Sequence, residues 1–163
     1  MRIPERSTLI ERPVEDVFRF VSDPTNDPKW HPTVIKAEKT SDAPIGLGST
    51  FTGIHDPHRQ ELATPPRPAS FNRVTAEIVE FVPNERCRAR VTFLDPLTGL
   101  GRFLGHDVTS IFRVEPASDG TRLFRSLELS PSFWLKPLLL VGAGVARRRN
   151  DRLLANIKAV LEA

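Results

Sequence analysis

The chain has a single cysteine, Cys87, and no tyrosine. One cysteine excludes an internal disulfide and any metal site built on clustered thiolates. Long hydrophobic runs are missing too. The longest, Leu138 to Ala146, falls far short of the roughly 18 residues a membrane span needs, and the start MRIPERSTLIERP lacks the apolar stretch of a secretory signal. A cytoplasmic protein without stable membrane insertion is expected. No phosphate-cradling loop is present: GLG at Gly46 to Gly48 reads as a turn, and VGAGVA falls inside a helical pattern with no strand before it. The serines in PSFW and TSIF lack the elbow motif of a nucleophile. Excess charge of one sign is also lacking, with 23 Lys and Arg against 20 Asp and Glu. The two dense sets, Arg86/Arg88/Arg90 and Arg147/Arg148/Arg149/Arg152, have no interleaved aromatics and read as solvated faces, so no nucleic-acid partner is expected.

What remains is a 163-residue chain, 39% apolar and 26% charged, which fits one globular domain over 1–163. Its organising stretch is Ser130 to Ala163, which reads as one long helix. On a 3.6-residue period Leu135, Leu139, Gly142, Ala143, Ala146, Leu153, Ile157, Val160 and Leu161 share a face, with Arg147, Arg148, Arg152 and Lys158 off it. The middle of that face carries small residues. Dense interiors leave no voids, so either a partner element approaches closely there or a cavity lies beneath. The cavity is the reading adopted.

Ile3 to Glu11 has the composition of a first strand. Pro13 then opens a helix at its first position, with Glu15 and Asp16 in the first turn and Val14, Val17, Phe18 and Val21 as its apolar stripe. DPTNDPKWHP, Asp23 to Pro32, stops it and holds little more than a turn or a short second helix bearing Trp30 and His31. Val34 to Thr40 and Gly48 to Ile54 are short strands, and Ile54 to Ser70, with four prolines, is a long loop that serves as a lid or is disordered. Within it, His55 and His58 beside Asp56 and Glu61 have no rigid frame, so no metal site is assigned.

Two hairpins follow. A turn at Pro83 to Glu85 pairs Val82 with Arg86, Glu80 with Arg88 and Ile78 with Arg90, which turns Thr75, Glu77, Val79, Phe81, Cys87, Ala89, Val91 and Phe93 inward. A turn at PASDG pairs Val114 with Leu123, Phe112 with Arg125 and Ser110 with Leu127, so the inner side holds apolar residues together with His106, Ser110 and Arg125. The whole is an α+β chain: a strand, two short helices, six more antiparallel strands and a long helix that the curved sheet must wrap.

Nearly the whole chain, through IERPVEDVFRFVSDPTNDPKWHP, GLGSTF, EIVEFVPNERCRARV, DGTRLFRSLEL and the closing helix, resembles the START-like (SRPBCC) helix-grip superfamily, in its polyketide cyclase/dehydrase-like branch. The resemblance implies a Bet v 1-like fold with a hydrophobic cavity between sheet and last helix, entered near the two short helices, and no obligatory cofactor. It does not imply one function, since such proteins include lipid and hormone binders, allergen-like carriers and aromatase/cyclases. Lacking tyrosine, the chain cannot use a family mechanism that depends on a cavity Tyr.

The expected partner is a small hydrophobic or amphipathic ligand, and a homodimer is compatible with the sequence. Candidate lining residues are Trp30, His31, Phe51, Phe93, Ser110, Phe112, Arg125, Trp134, Leu138, Gly142 and Ala146. If the protein is an enzyme of the cyclase/dehydratase type, Glu77, His106 and Arg125 supply a base, an acid/base and a fixed cation. A third class is an interaction module with a vestigial cavity. Arg125, flanked by inward leucines, needs a partner for its buried charge, with Glu77, His106 or a ligand oxyanion as candidates.

Overall fold

The computed structural model describes residues 2–56, 72–95, 107–129 and 136–163, with the backbone alone at 72, 136–143 and 145. The elements are β1 (Arg2–Ile10), α1 (Val14–Val21), a 3-10 turn (Pro24–Asn26), α2 (Asp27–Trp30), β2 (Val34–Lys39), β3 (Thr50–His55), β4 (Asn72–Val82), β5 (Arg86–Phe93), β6 (Asp107–Ala117), β7 (Gly120–Leu129) and α3 (Lys136–Glu162). The seven strands of the described residues form one curved antiparallel sheet in the order β1-β7-β6-β5-β4-β3-β2. Because β1 and β2 lie at opposite edges, the chain between them must cross the sheet. It crosses as α1, the 3-10 turn and α2.

Each crossing piece has a local cause. Pro13, extended at ψ 149°, stands just before α1 and not inside it, and Glu15 and Asp16 meet the positive end of the helix dipole. Val17, Phe18 and Val21 are buried on one face. The 3-10 turn is capped by Asp23, whose carboxylate accepts from the Thr25 amide at 2.9 Å and the Thr25 hydroxyl at 2.7 Å. On α3 the apolar stripe resolves into Leu153, Leu154 and Ile157, all buried against the concave face. Each contributes about 1.5–3 kcal/mol relative to exposure.

Both hairpins keep the expected register near their turns: Val82 pairs with Arg86, Glu80 with Arg88, Val114 with Leu123, Phe112 with Arg125 and Ser110 with Leu127. The first hairpin then departs from it. A bulge between Ile78 and Glu80 sets Ile78 opposite Ala89 and Glu77 opposite Arg90. Beyond the bulge every β4 side chain changes face. Ile78 is fully buried and Glu77 is exposed, so the inward placement of Glu77 is corrected. The physical reason lies in the neighbouring loop, where the Gly48 amide donates to the Ile78 carbonyl at 2.8 Å and the Ile78 amide to the Ser49 carbonyl at 2.9 Å. The convex face is laced with ion pairs, Arg86–Glu80 and Arg88–Glu128 among them.

Candidate functional site

Arg125 is on the concave face of β7, placed there by the alternation that buries Leu123, and it is only 4% exposed. The charge is answered from α3. Its Nη1 donates to the side-chain oxygen of Asn150, and the Asn150 Nδ2 donates back to the Arg125 carbonyl at 2.9 Å. One buried amide thus clasps both ends of the same residue. Burial, and then the charge of Arg149, lowers the guanidinium to about 10, with Asp27 opposing. It remains a cation at neutral pH.

Around the guanidinium stand two rings. Its carbon is 5.7 Å from the Trp30 ring and 5.7 Å from that of Phe112, and the two rings meet edge-on at 6.0 Å. Trp30, at the end of α2, is fixed by Asn156 of α3, whose Nδ2 donates to the Trp30 carbonyl at 2.9 Å. Two buried donors here are unanswered: Arg125 Nε and Trp30 Nε1 make no hydrogen bond among the described residues. A buried donor without an acceptor costs about 1–3 kcal/mol.

Asp27, the first residue of α2, brings the acid. Burial pushes its carboxyl up to about 7 against the pull of Arg125 and of the Trp30 indole N–H, which lies near enough to favour the charged form without reaching hydrogen-bonding geometry; Asp23 adds a small push upward. Beyond Trp30 the aromatic line continues through His31 at 5.2 Å, His55 at 6.1 Å from His31, and Phe93 at 5.8 Å from His55. Burial, then Arg125, Arg149 and His55, lowers His31 to about 2, and burial followed by Arg149 lowers His55 to about 4. Both are neutral imidazoles at physiological pH, and His31 Nδ1 shares a 3.0 Å hydrogen bond with Thr33 Oγ1. On the outer side of α2 a cleft of about 370 Å³ opens to solvent, lined by Trp30, His31, Val34 and Asn156 among others. Cys87 is buried and its thiol is pushed up to about 12, mainly by burial, so it has no thiolate character.

Of the residues singled out in the sequence, Trp30, His31, Phe112 and Arg125 come together, with Phe93 joined through His55. Phe51 is buried in the core, Ser110 is half-buried between Ala89 and Leu127, and Ala146 is half-buried on α3. Glu77 is on the opposite face, out of reach of Arg125. His106, Trp134 and the side chains of Leu138 and Gly142 lie outside the described residues. His55 belongs to β3 and not to the following loop. Sequence reasoning missed Asp27 and Asn150. An amide one turn ahead of Leu153 and Leu154 in a buried stripe was the available signal for Asn150; Asp27 in a Pro-rich turn carried none. Among the described residues no three His, Cys, Asp or Glu side chains are grouped to hold a metal ion, and no helix is long and apolar enough to cross a membrane.

Comparison with known proteins matches residues 1–162 to the family described as polyketide cyclase / dehydrase and lipid transport. No curated protein sequence matches. Similar solved structures include protein CV1439 from Chromobacterium violaceum (19% identity, TM-score 0.63, covering 100% of this chain and 99% of that one). Another is Ara h 8.0201 (13%, TM-score 0.65, 99% and 97%). The di-domain ARO/CYC StfQ from the steffimycin biosynthetic pathway matches at 17% identity and TM-score 0.64, over 99% of this chain and 51% of that one. At these identities the likeness is one of fold.

Proposed function

The chain belongs to the polyketide cyclase / dehydrase and lipid transport family, and we propose on that basis that it binds one small hydrophobic or amphipathic molecule between the concave face of the sheet and α3. The ligand's polar end meets Arg125. The observation that carries this reading is the buried guanidinium itself, held between Trp30 and Phe112 with its Nε unanswered. A protein that needed only stability would do as well or better with apolar residues in place of both Arg125 and its partner Asn150. Apolar walls with a few placed polar groups are the common composition of small-molecule sites. Native mass spectrometry of freshly purified protein tests the reading: an apolar adduct that is lost in Arg125→Leu is expected, and a bare mass, together with no displacement of a bound hydrophobic dye by fatty or aromatic acids, removes it.

A second reading, a cyclase or dehydratase acting in the same place, is favoured by one observation. The Asp27 carboxyl, raised to about 7 mainly by burial, acts electrostatically on the fixed cation Arg125. Proton abstraction next to a ketone needs a base and a stabilised oxyanion, and Asp27 and Arg125 are suited to those two roles. Asp27 replaces Glu77 in that assignment. Conversion of an added polyketone, abolished by Asp27→Asn with binding retained, is the expected result for an enzyme.

A further inference from the structure

We propose that the ligand's polar end is an acid group bound as its anion by Arg125 and Trp30, and that Asp27 takes up a proton as it binds. This deepens the binding reading above and rests on it. Two buried donors in the site lack a hydrogen-bond partner among the described residues. Arg125 Nε–H and Trp30 Nε1–H are both buried, belong to residues 4% exposed each, and sit on groups 5.7 Å apart. Both are donors, so what satisfies them is an acceptor. Beside a desolvated guanidinium an oxyanion is the strongest acceptor available, roughly twice as strong as a neutral one.

The charges around the pair point the same way. From β7 there is Arg125 itself, and from α3 Arg149, which acts on Arg125, His31 and His55. From α2 and β3 come His31 and His55, both neutral. From the 3-10 turn comes Asp23, whose carboxylate is engaged by Thr25, and β5 contributes the un-ionised Cys87. On β2, Lys36 and Glu38 pair with each other at the surface. Among the described residues, Asp27 is the carboxylate whose charge acts on Arg125. Two carboxylates sharing one buried cation repel, and one of them is driven to its neutral form. Asp27 is poised for that because burial, against the pull of Arg125 and the Trp30 indole, already holds its carboxyl at about 7. The proton comes from solvent: Asp27 carboxylate plus a proton gives the acid, the ligand stays ionised, and no covalent bond of the ligand changes.

The consequence is an affinity that follows the protonated fraction of Asp27. For a carboxyl near 7 that fraction falls from about nine-tenths at pH 6 to about one-tenth at pH 8, so an acid ligand is expected to bind about ten-fold more weakly at pH 8. Its neutral counterpart should not change. The probes are decanoate against decanol and 2-naphthoate against 2-naphthamide, titrated calorimetrically into the wild-type protein at pH 6, 7 and 8 in buffers of different ionisation enthalpy. Expected are a preference for the acid of each pair, uptake of about half a proton at pH 7 rising towards one at pH 8, and loss of both the uptake and the pH dependence in Asp27→Asn with the acid preference intact. Equal binding of acid and neutral partner overturns this inference and leaves the binding reading standing. An acid preference without proton uptake in wild type overturns the role of Asp27, and this readout needs no variant. Failure of all four probes to bind overturns the inference and counts against the binding reading itself.

Discussion

Asn150 is the residue on which the burial of Arg125 depends. Its amide answers the guanidinium and the Arg125 carbonyl together, at 1% exposure. Replacing one partner of such a pair strands the other. Asn150→Leu is expected to cost about 3 kcal/mol or more in urea unfolding, whereas Arg125→Leu/Asn150→Leu should recover most of that loss, since two leucines fill the space without buried polarity. Purely additive losses would show that the pair is not coupled. The pH dependence of folding carries a second expectation. His31 and His55 have lowered values in the folded state, so their contribution is present above about 6.5 and lost as pH falls. Asp27 is raised, so its contribution is present below about 4 and lost as pH rises towards 7. Between pH 4.5 and 6.5 these three groups oppose, two against one, and stability should climb with a slope of about one proton. Asp27→Asn should steepen it to about two, and should raise Tm much more at pH 7.5 than at pH 4.5. An equal Tm gain at both pH values would mean that the carboxyl is not strained by its burial. Arg125 was legible at this scale because period-two alternation aims it inward whatever the tertiary detail. Its partners were not, because Asp27 and Asn150 lie far from it along the chain and meet it only once α2 and α3 are docked.

Among the elements, the hairpins divide the legible from the hidden. Turn chemistry sets register close to the turn, and there the pairings at Val82 and at Phe112 were readable from Pro83–Glu85 and PASDG. The bulge in β4 was not, since nothing in the local alternation marks it and its cause is the backbone of Gly48 and Ser49 on another element. That single extra residue moved Glu77 from the presumed site to solvent. The turn at Gly120 offers a test of how tightly two elements meet. Gly120 has φ +134°, and a Cβ there would stand 2.1 Å from the Ile10 carbonyl oxygen at the end of β1. Gly120→Ala must displace that strand end, in a backbone conformation that only glycine adopts readily. A loss of about 2–4 kcal/mol is expected by chemical unfolding, with amide exchange accelerated first at the end of β1. An unchanged stability would contradict the close approach.

At the scale of the whole molecule, α3 is laced to β1 and the segment after it. Arg6 pairs with Asp151 at 2.6 Å, Lys158 donates to the Leu9 carbonyl at 2.7 Å, Arg12 to the Leu161 carbonyl at 2.7 Å, and the Glu11 amide to Glu162 at 2.7 Å. Exposed pairs of this kind are each worth less than about 1 kcal/mol, yet together they position the helix that carries Asn150 and Asn156. Removing residues 157–163 should therefore lower Tm and also abolish the Trp30 environment, read as a red shift of its emission. A lower Tm with unshifted emission would place the anchoring of α2 elsewhere. The same lacing has a consequence in time. Lys158 and Leu9 are 149 residues apart, and β1 finds its sheet partner only in β7, the last strand. Contacts so distant make closure slow compared with hairpin formation. As the chain leaves the ribosome, Ile3 and Ile10 wait without a strand beside them until β7 has emerged, so the first strand of this sheet is among the last to be sheltered, and the nascent sheet carries an open edge that another copy could pair with.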